Sequence, residues 1–531
     1  MRDLELPGRS PVHSPHGMAS TSHPLSSQTA IEILKRGGNA MDAAVAACAV
    51  QCVVEPESTG IGGDCFCLYS QTGTNDIVAY NGSGRAPGAA TADWYQSNGI
   101  HEIERQTPHS VTVPGAIDAW HQLIADHGRL SLAEVLQPAI AYARDGYPVS
   151  SRVSVDFASQ AEFLAKDKNA ASVFMPDGRT PRCGEMHRQP ALAVTLDKIA
   201  NLGRDGFYLG DVADDIVSYL QSLGGLHTAE DFANAAGEYV TPIHSNFRDS
   251  IVYQCPPNGQ GIIALMLLNM FDSMEPANYQ HDLMSVERLH LEIEAGRLCY
   301  QDRNYFVADP AQADVPVDYM LSQARAQELN SLIDPQRRLE SLPIPTAPAH
   351  ESTVYISVVD SDRNACSFIN TLFNNFGSVQ MAPASGVMLH NRGQGFVVDP
   401  SHPNCIAPGK RPLHTIIPGM VTKDDRVSLC FGVMGGHYQA FGHMQLLTGL
   451  VDYGLDIQQA QDRPRFFPYG DEVEVEGTVP DSVQQALQKL GHRLVKPAKP
   501  IGGSQAIAID WQQNVLTAGS DPRKDGCAIG Y

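Results

Sequence analysis

Thr353-Val-Tyr-Ile-Ser-Val-Val-Asp360-Ser-Asp-Arg-Asn364-Ala-Cys-Ser-Phe-Ile-Asn-Thr371 is a pair of alternating, β-branched runs around a polar turn. Thr353 to Val359 reads as a strand, Asp360 to Asn364 as its turn and Ala365 to Thr371 as the return strand. Thr353 lies nine residues before Asp362 and Thr371 nine after it. A turn centred on Asp362 therefore sets the two threonines opposite each other, with Cβ atoms about 4.5–5.5 Å apart. From there Thr371 can hydrogen-bond the Thr353 hydroxyl or its amine. Opposed threonines are also ordinary strand partners, and a bulge would break the register.

The hairpin follows a proline-studded stretch, Ser341-Leu-Pro-Ile-Pro-Thr-Ala-Pro-Ala-His-Glu-Ser352. A threonine hydroxyl is a poor nucleophile unless a base sits beside it. Scission before Thr353 would give that residue a free α-amine within reach of its own hydroxyl, so one residue becomes nucleophile and base. An α-amine has a reference pKa of about 7.7–8.0 against about 10.4 for lysine, so roughly a tenth of such amines accept a proton at neutral pH. Thr353 then needs no histidine, and no Ser-His-Asp order or G-x-S-x-G elbow is evident.

Upstream, Ser27 is the expected N-cap of a helix through Ile31, Ile33 and Leu34 that ends at Gly37-Gly38. Asn39 caps a second helix, Ala40 to Val54, which is apolar on nearly every side and so belongs between layers. The glycine loop Ser58-Thr-Gly-Ile-Gly-Gly-Asp64 leads into a buried strand, Cys65 to Tyr69. Amphipathic helices alternate with turns from Leu130 to about Leu339, Val286 to Cys299 among them. Beyond the hairpin, strands are expected near Gly386 to Leu389 and Arg426 to Val433, with helices at Gln439 to Val451 and Ser482 to Leu490. Strand runs bracketed by helices point to antiparallel sheet covered by helices, an α+β layered architecture.

Several polar groups have two readings at this level. Arg426-Val-Ser-Leu-Cys-Phe-Gly-Val-Met-Gly435-Gly436 is a strand entering a glycine pair before a helix. It is either a tight turn or two backbone N–H donors aimed at an oxyanion. Asp64 and its glycine loop are similarly open. Arg85, in Asn81-Gly-Ser-Gly-Arg-Ala-Pro87, is a surface turn residue or a two-point grip for a carboxylate. His414 and Thr415, inside an otherwise apolar strand, are a satisfied buried pair or a substrate contact.

A formal net charge of −22 argues against nucleic acid as a partner, since phosphate binding needs a basic surface, although a local basic pocket can sit in an acidic protein. No secretory h-region is visible after Met1, and no run approaches the ~18 apolar residues that span a bilayer. The eleven cysteines lack framework or zinc spacing and are expected to be reduced core thiols, which fits a cytoplasmic protein without a metal.

Taken together these segments resemble the γ-glutamyltranspeptidase family of N-terminal nucleophile hydrolases. The resemblance runs through Gly17-Met-Ala-Ser-Thr-Ser-His-Pro24, Gly37-Gly-Asn-Ala-Met-Asp-Ala-Ala44, Glu57 to Gly63, Val113-Pro-Gly115, Asp302-Arg-Asn304, the hairpin, Val433-Met-Gly-Gly436, Arg463-Pro-Arg465 and Asp521-Pro-Arg523. It implies a four-layer αββα sandwich, and self-cleavage of the Ser352–Thr353 bond into a large subunit, 1–352, and a small subunit, 353–531, that stay together. It implies Thr353 as nucleophile, Thr371 as its support, Gly435 and Gly436 as the oxyanion pair, and no cofactor. The family's substrate clamp is altered. Gly395 replaces the acid that holds the glutamyl amine, His414-Thr415 replaces a serine pair, and Phe373 replaces an asparagine. Val354-Tyr355 follows the nucleophile where Thr-His is usual, and the usual carboxylate-binding arginine falls at Ser83, two positions before Arg85. The expected activity is hydrolysis of a small carboxylate-bearing amide, oxamate-like, with Arg85, His414, Thr415, Phe373 and Tyr355 around the substrate. The alternatives are γ-glutamyl transfer or glutathione hydrolysis, and an uncleaved, non-catalytic member. Partners are limited to the small amide and the two fragments, with a higher homo-oligomer allowed and neither nucleic acid nor membrane expected.

Overall fold

The hairpin sits at the centre of a seven-stranded sheet in a computed structural model that describes residues 5, 8–274, 281–340, 342 and 352–531. Most of the proline-studded stretch therefore lies outside the described residues. The sheet runs Cys527–Gly530, Met18–Thr21, Ser352–Val359, Ala365–Phe373, Asp64–Ser70, Ile77–Gly82, Glu238–Val240. A second seven-stranded sheet runs Val12–Ser14, Val515–Ser520, Gly503–Asp510, Arg426–Met434, Pro418–Lys423, Ser250–Gln254, Ile243–Phe247. Neighbouring strands are antiparallel in both.

The period-2 alternation of each strand sorts its side chains between two cores. Tyr355, Ile369, Phe66 and Leu68 face the second sheet and meet Ile416, Met420, Cys430 and Ile507 there. Ile356, Val358, Cys366 and Phe368 face outward, onto the Ala40–Val54 and Ala116–His127 helices. On the far side, Leu429, Phe431 and Val433 pack against the Gly261–Asp272, Val286–Phe306 and Tyr438–Val451 helices. The result is an αββα sandwich, as expected. Among the described residues no helix is long and apolar enough to cross a membrane.

The Ala40–Val54 helix is wholly buried, because fifteen mostly small apolar residues let it lie flat between the sheet and the outer helices. Asn39 starts it with a capping box: its side chain accepts from Met41 and Asp42 N–H, and Asp42 accepts from the Asn39 N–H at 2.8 Å. Asn39 Nδ2 also donates to the His127 carbonyl at 2.6 Å.

Four expectations are corrected. The first helix begins at Pro24, a residue suited to the first turn, and its cap is His23, whose side chain accepts from Leu25 N–H; Ser27 lies inside it. Gly386 to Leu389 is no strand but a loop with isolated bridges, Met381 to Met388 and Gly62 to Leu389. His414 makes one bridge to Gly259 and Thr415 none, so that pair stands on a loop between sheet and helix. Cys183 is exposed and Cys527 half-buried, so the eleven free thiols are not all core groups.

Asn39→Ala removes the cap and the His127 contact, and a loss of about 1–2 kcal/mol is expected in chemical denaturation. Asn39→Ser, which can still cap, recovers most of it.

Candidate active site

Thr353, Thr371 and Asp64 stand on three adjacent strands in one row. The hairpin pairs Val354 with Asn370 and Val359 with Ala365, and the next pairing sets Thr371 against Asp64. All three side chains face the second sheet, at the end of the first. Thr353 Oγ1 lies 3.3 Å from Thr371 Oγ1, and Thr371 Oγ1 accepts from the Phe373 N–H at 2.8 Å. Thr353 is 1% exposed, so its hydroxyl is held by protein groups. The register shifts between Ser352 and Val354, a bulge at the threonine itself.

Gly435 and Gly436 follow the strand that ends at Met434, with φ of 121° and 57°. Such backbone favours glycine, and a Cβ on Gly435 would meet the Gly502 Cα at 2.8 Å. Among the described residues neither glycine N–H has a hydrogen-bond acceptor, while both carbonyls accept from the first turn of the next helix. A pocket lined by Met434, His437, Tyr438 and Gly502 borders Gly435. Gln439, in that first turn, donates from Nε2 to Thr353 Oγ1 at 3.3 Å and accepts the Ile417 N–H at 3.1 Å. Gln260 Nε2 bridges the carbonyls of Thr415 and Gly436 at 2.8 and 2.9 Å.

Asp64 is fully buried. Its Oδ1 accepts from Gly84 and Gly115 N–H at 2.9 and 3.3 Å, and its Oδ2 from His414 Nε2 at 3.0 Å, with His390 Nδ1 3.5 Å away. Desolvation alone would raise this carboxyl, but the facing His390 and the hydrogen bonds outweigh it and hold Asp64 well below the usual carboxylate range. His414 is pushed down to about 3, chiefly by burial and then by the Arg392 charge, so it is a neutral donor to Asp64. Its Nδ1 accepts the Ile416 N–H, and its ring lies 4.8 Å from that of Phe66.

Thr415 Oγ1 accepts from Arg392 Nη1 at 3.1 Å, and the Phe373 ring centroid is 3.6 Å from the Arg392 Cζ. Phe373 holds this place with φ of 80°, a strained value for an aromatic residue. The predicted Phe373, His414 and Thr415 thus gather with the threonines. Arg85 does not: its guanidinium donates to the Gly409 carbonyl and lies 3.7–3.8 Å from Glu238 and Asp309, with no described contact to the threonine row. Tyr355 departs too. It alternates into the inter-sheet core, where its hydroxyl bonds Ser357 and Ser367. Gln439, Gln260, His390 and Arg392 were missed. Arg392 carried a readable signal, a glycine-flanked arginine in Asn391-Arg-Gly-Gln-Gly395.

Elsewhere, His290, Glu294 and His492 form the one described group with metal-ligating composition. Glu294 is already bonded to Arg297 and the Leu339 N–H, and His290 bridges His492 and the Asp334 carbonyl.

The Gamma-glutamyltranspeptidase family model matches residues 26–531. The chain is 38% identical to the glutathione hydrolase-like YwrD proenzyme of Bacillus subtilis, over 97% of this chain and 98% of that protein. It is 32% identical to the oxamate amidohydrolase proenzyme of Klebsiella pneumoniae, over 98% and 99%. The crystal structure of cephalosporin acylase from Bacillus halodurans superposes with a TM-score of 0.93 at 38% identity, covering 100% of this chain and 99% of that one.

Burial holds His23, His187 and His227 near 4, and His414, His443 and His492 near 3. Between about pH 6.5 and 3–4 the unfolded chain takes up these protons and the folded chain does not, so stability falls as pH falls through that window. Asp64 adds nothing there, since a depressed carboxyl loses its contribution only below the unfolded value of about 3.9. Denaturation midpoints from pH 7 to 4 should drop steeply. His414→Gln should flatten the slope by about 1.4 kcal/mol per pH unit.

Proposed function

The chain belongs to the gamma-glutamyltranspeptidase family and is a hydrolase of that family, and from this premise we propose a self-processing amidohydrolase whose nucleophile is Thr353. The observation that carries the reading is the buried Thr353–Thr371 pair, 3.3 Å apart and held by Gln439 and the Phe373 N–H. In this reading the Ser352–Thr353 bond is cut by the chain itself, giving fragments of 352 and 179 residues. The liberated α-amine takes the Thr353 hydroxyl proton as Oγ1 attacks the amide carbon. Gly435 and Gly436 N–H groups meet the developing oxyanion, each typically worth about 2.7–4 kcal/mol of barrier. The amine returns its proton to the leaving nitrogen, and water hydrolyses the threonyl ester.

The proposed substrate is a small amide bearing a carboxylate, with oxamate as its simplest form: oxamate and water give oxalate and ammonia. Two features support this choice. Position 395 is glycine, so the acid that would hold a glutamyl ammonium is missing. A relative named oxamate amidohydrolase matches end to end. A second reading, γ-glutamyl amide hydrolysis, has in its favour the relative named glutathione hydrolase-like.

Purified wild type is expected as two bands on a denaturing gel, with Thr353 as the new N-terminus. Thr353→Ala should remain one full-length chain; two bands in that variant would end the reading. Ammonia release from oxamate should exceed p-nitroaniline release from γ-glutamyl-p-nitroanilide in kcat/KM, and the reverse order selects the second reading.

A further inference from the structure

Arg392 is fully buried, yet only one nitrogen of its guanidinium is described as bonded, Nη1 to Thr415. Nε and Nη2 have no hydrogen-bond partner, and among the described residues no other arginine leaves two buried nitrogens in that state. Those two nitrogens share one edge of the planar fork. Two parallel N–H groups on one edge match the two oxygens of a carboxylate. Unfilled, such an edge would be a costly arrangement in a folded interior.

The neighbouring charge does not fill it. Asp64 feels the Arg392 charge through space, but its oxygens already receive Gly84, Gly115 and His414. The facing titratable groups are Asp64, His414 and His390, and His414 is neutral. Burial pulls Arg392 down to about 9 against the opposing pull of Asp64, so it remains a cation at neutral pH.

Contacts tie Arg392 to the threonine pair. A closed circuit runs from Thr353 to Thr371, to the Phe373 N–H, across the Phe373 ring to Arg392, on to Thr415 and through Gln260 to Gly436. Gln439, whose N–H bonds the Gly436 carbonyl, closes it on Thr353. Every member is buried.

We propose that Arg392 is the anion anchor of this site, taking the substrate carboxylate on its Nε/Nη2 edge while Phe373 and Thr415 hold the guanidinium plane. It replaces Arg85 in that role and rests on the reading of Thr353 as nucleophile. It also narrows the substrate class. No acid on the circuit is available to an ammonium, so the favoured amides carry a carboxylate near the scissile carbonyl and no α-ammonium beside it.

The test compares wild type with Arg392→Gln and Arg392→Lys, after a denaturing gel has confirmed processing of each. Ammonia release is measured from oxamate and from oxamide, its neutral counterpart, and oxalate is titrated into each protein by calorimetry. Arg392→Gln should lose roughly 100-fold or more in kcat/KM on oxamate. That loss should be at least about 30-fold larger than its loss on oxamide, and oxalate binding should weaken at least about tenfold. Arg392→Lys, a point charge without the fork, should fall between, and it carries the test if the glutamine variant is not processed. Equal losses on both amides, oxalate binding indifferent to position 392, or wild type that does not bind oxalate would each overturn the anchor. Wild type that binds oxalate through Arg392 but does not hydrolyse oxamate removes the proposed substrate and leaves the anchor standing.

Discussion

The hairpin holds one register from Val354–Asn370 to Val359–Ala365, then slips by a residue between Ser352 and Val354. Everything at the site follows from where that slip falls. The regular part sends Thr371 and Asp64 into the inter-sheet space in one row with Thr353. The bulge falls at Thr353 itself, between the Ser352–Phe373 and Val354–Asn370 pairs. A slip one residue later would turn the alternation over and place the threonine against the outer helices.

Around that row the electrostatics are divided between two unlike groups. Asp64 is a buried anion whose hydrogen bonds are all supplied from within, by two glycine-loop amides and a neutral histidine. It fixes the ends of the Asp64–Ser70 strand and the Gly84 and Gly115 loops around one point, a positioning charge. Arg392 is the opposite case, a buried cation held flat by a ring and a hydroxyl but left open along one edge. A protein with net charge −22 thus keeps a local positive site in its interior, which a global charge does not forbid.

What was legible in the sequence was whatever is local. The hairpin register follows from counting residues about Asp362, and the Asn39 box from a cap residue three positions before an acid. The glycine pair after Met434 announces itself by composition. Gln439 and Gln260 were illegible because they reach the Thr353 hydroxyl and the Gly436 carbonyl from separate parts of the chain, a pairing that no local pattern describes. Arg85 and Arg392 look alike in sequence, each an arginine among glycines. They differ only in their surroundings: Glu238, Asp309 and the Gly409 carbonyl occupy the first, while a phenylalanine at φ 80° backs the second. Tyr355 shares the Thr353 face of the strand but stands two residues further into the inter-sheet core, where Ser357 and Ser367 take up its hydroxyl.

Scission between residues 352 and 353 is compatible with this architecture because the two sides of the bond are woven together. In the sheet that holds Thr353, Met18–Thr21 and Asp64–Ser70 come from before that bond, while Ala365–Phe373 and Cys527–Gly530 come from after it. Pulling the fragments apart would break backbone ladders along several strand pairs and bare the core between Phe66, Tyr355, Ile369 and Met420. At about 25 cal/mol per Å² of apolar surface, exposing a core of that kind outweighs any gain from freeing the chain ends. The proposed cut would therefore cost the fold one peptide bond at the bulge between Ser352 and Val354. In the proposed mechanism it would release an amine beside Thr371 and Gln439, the groups that meet the Thr353 hydroxyl.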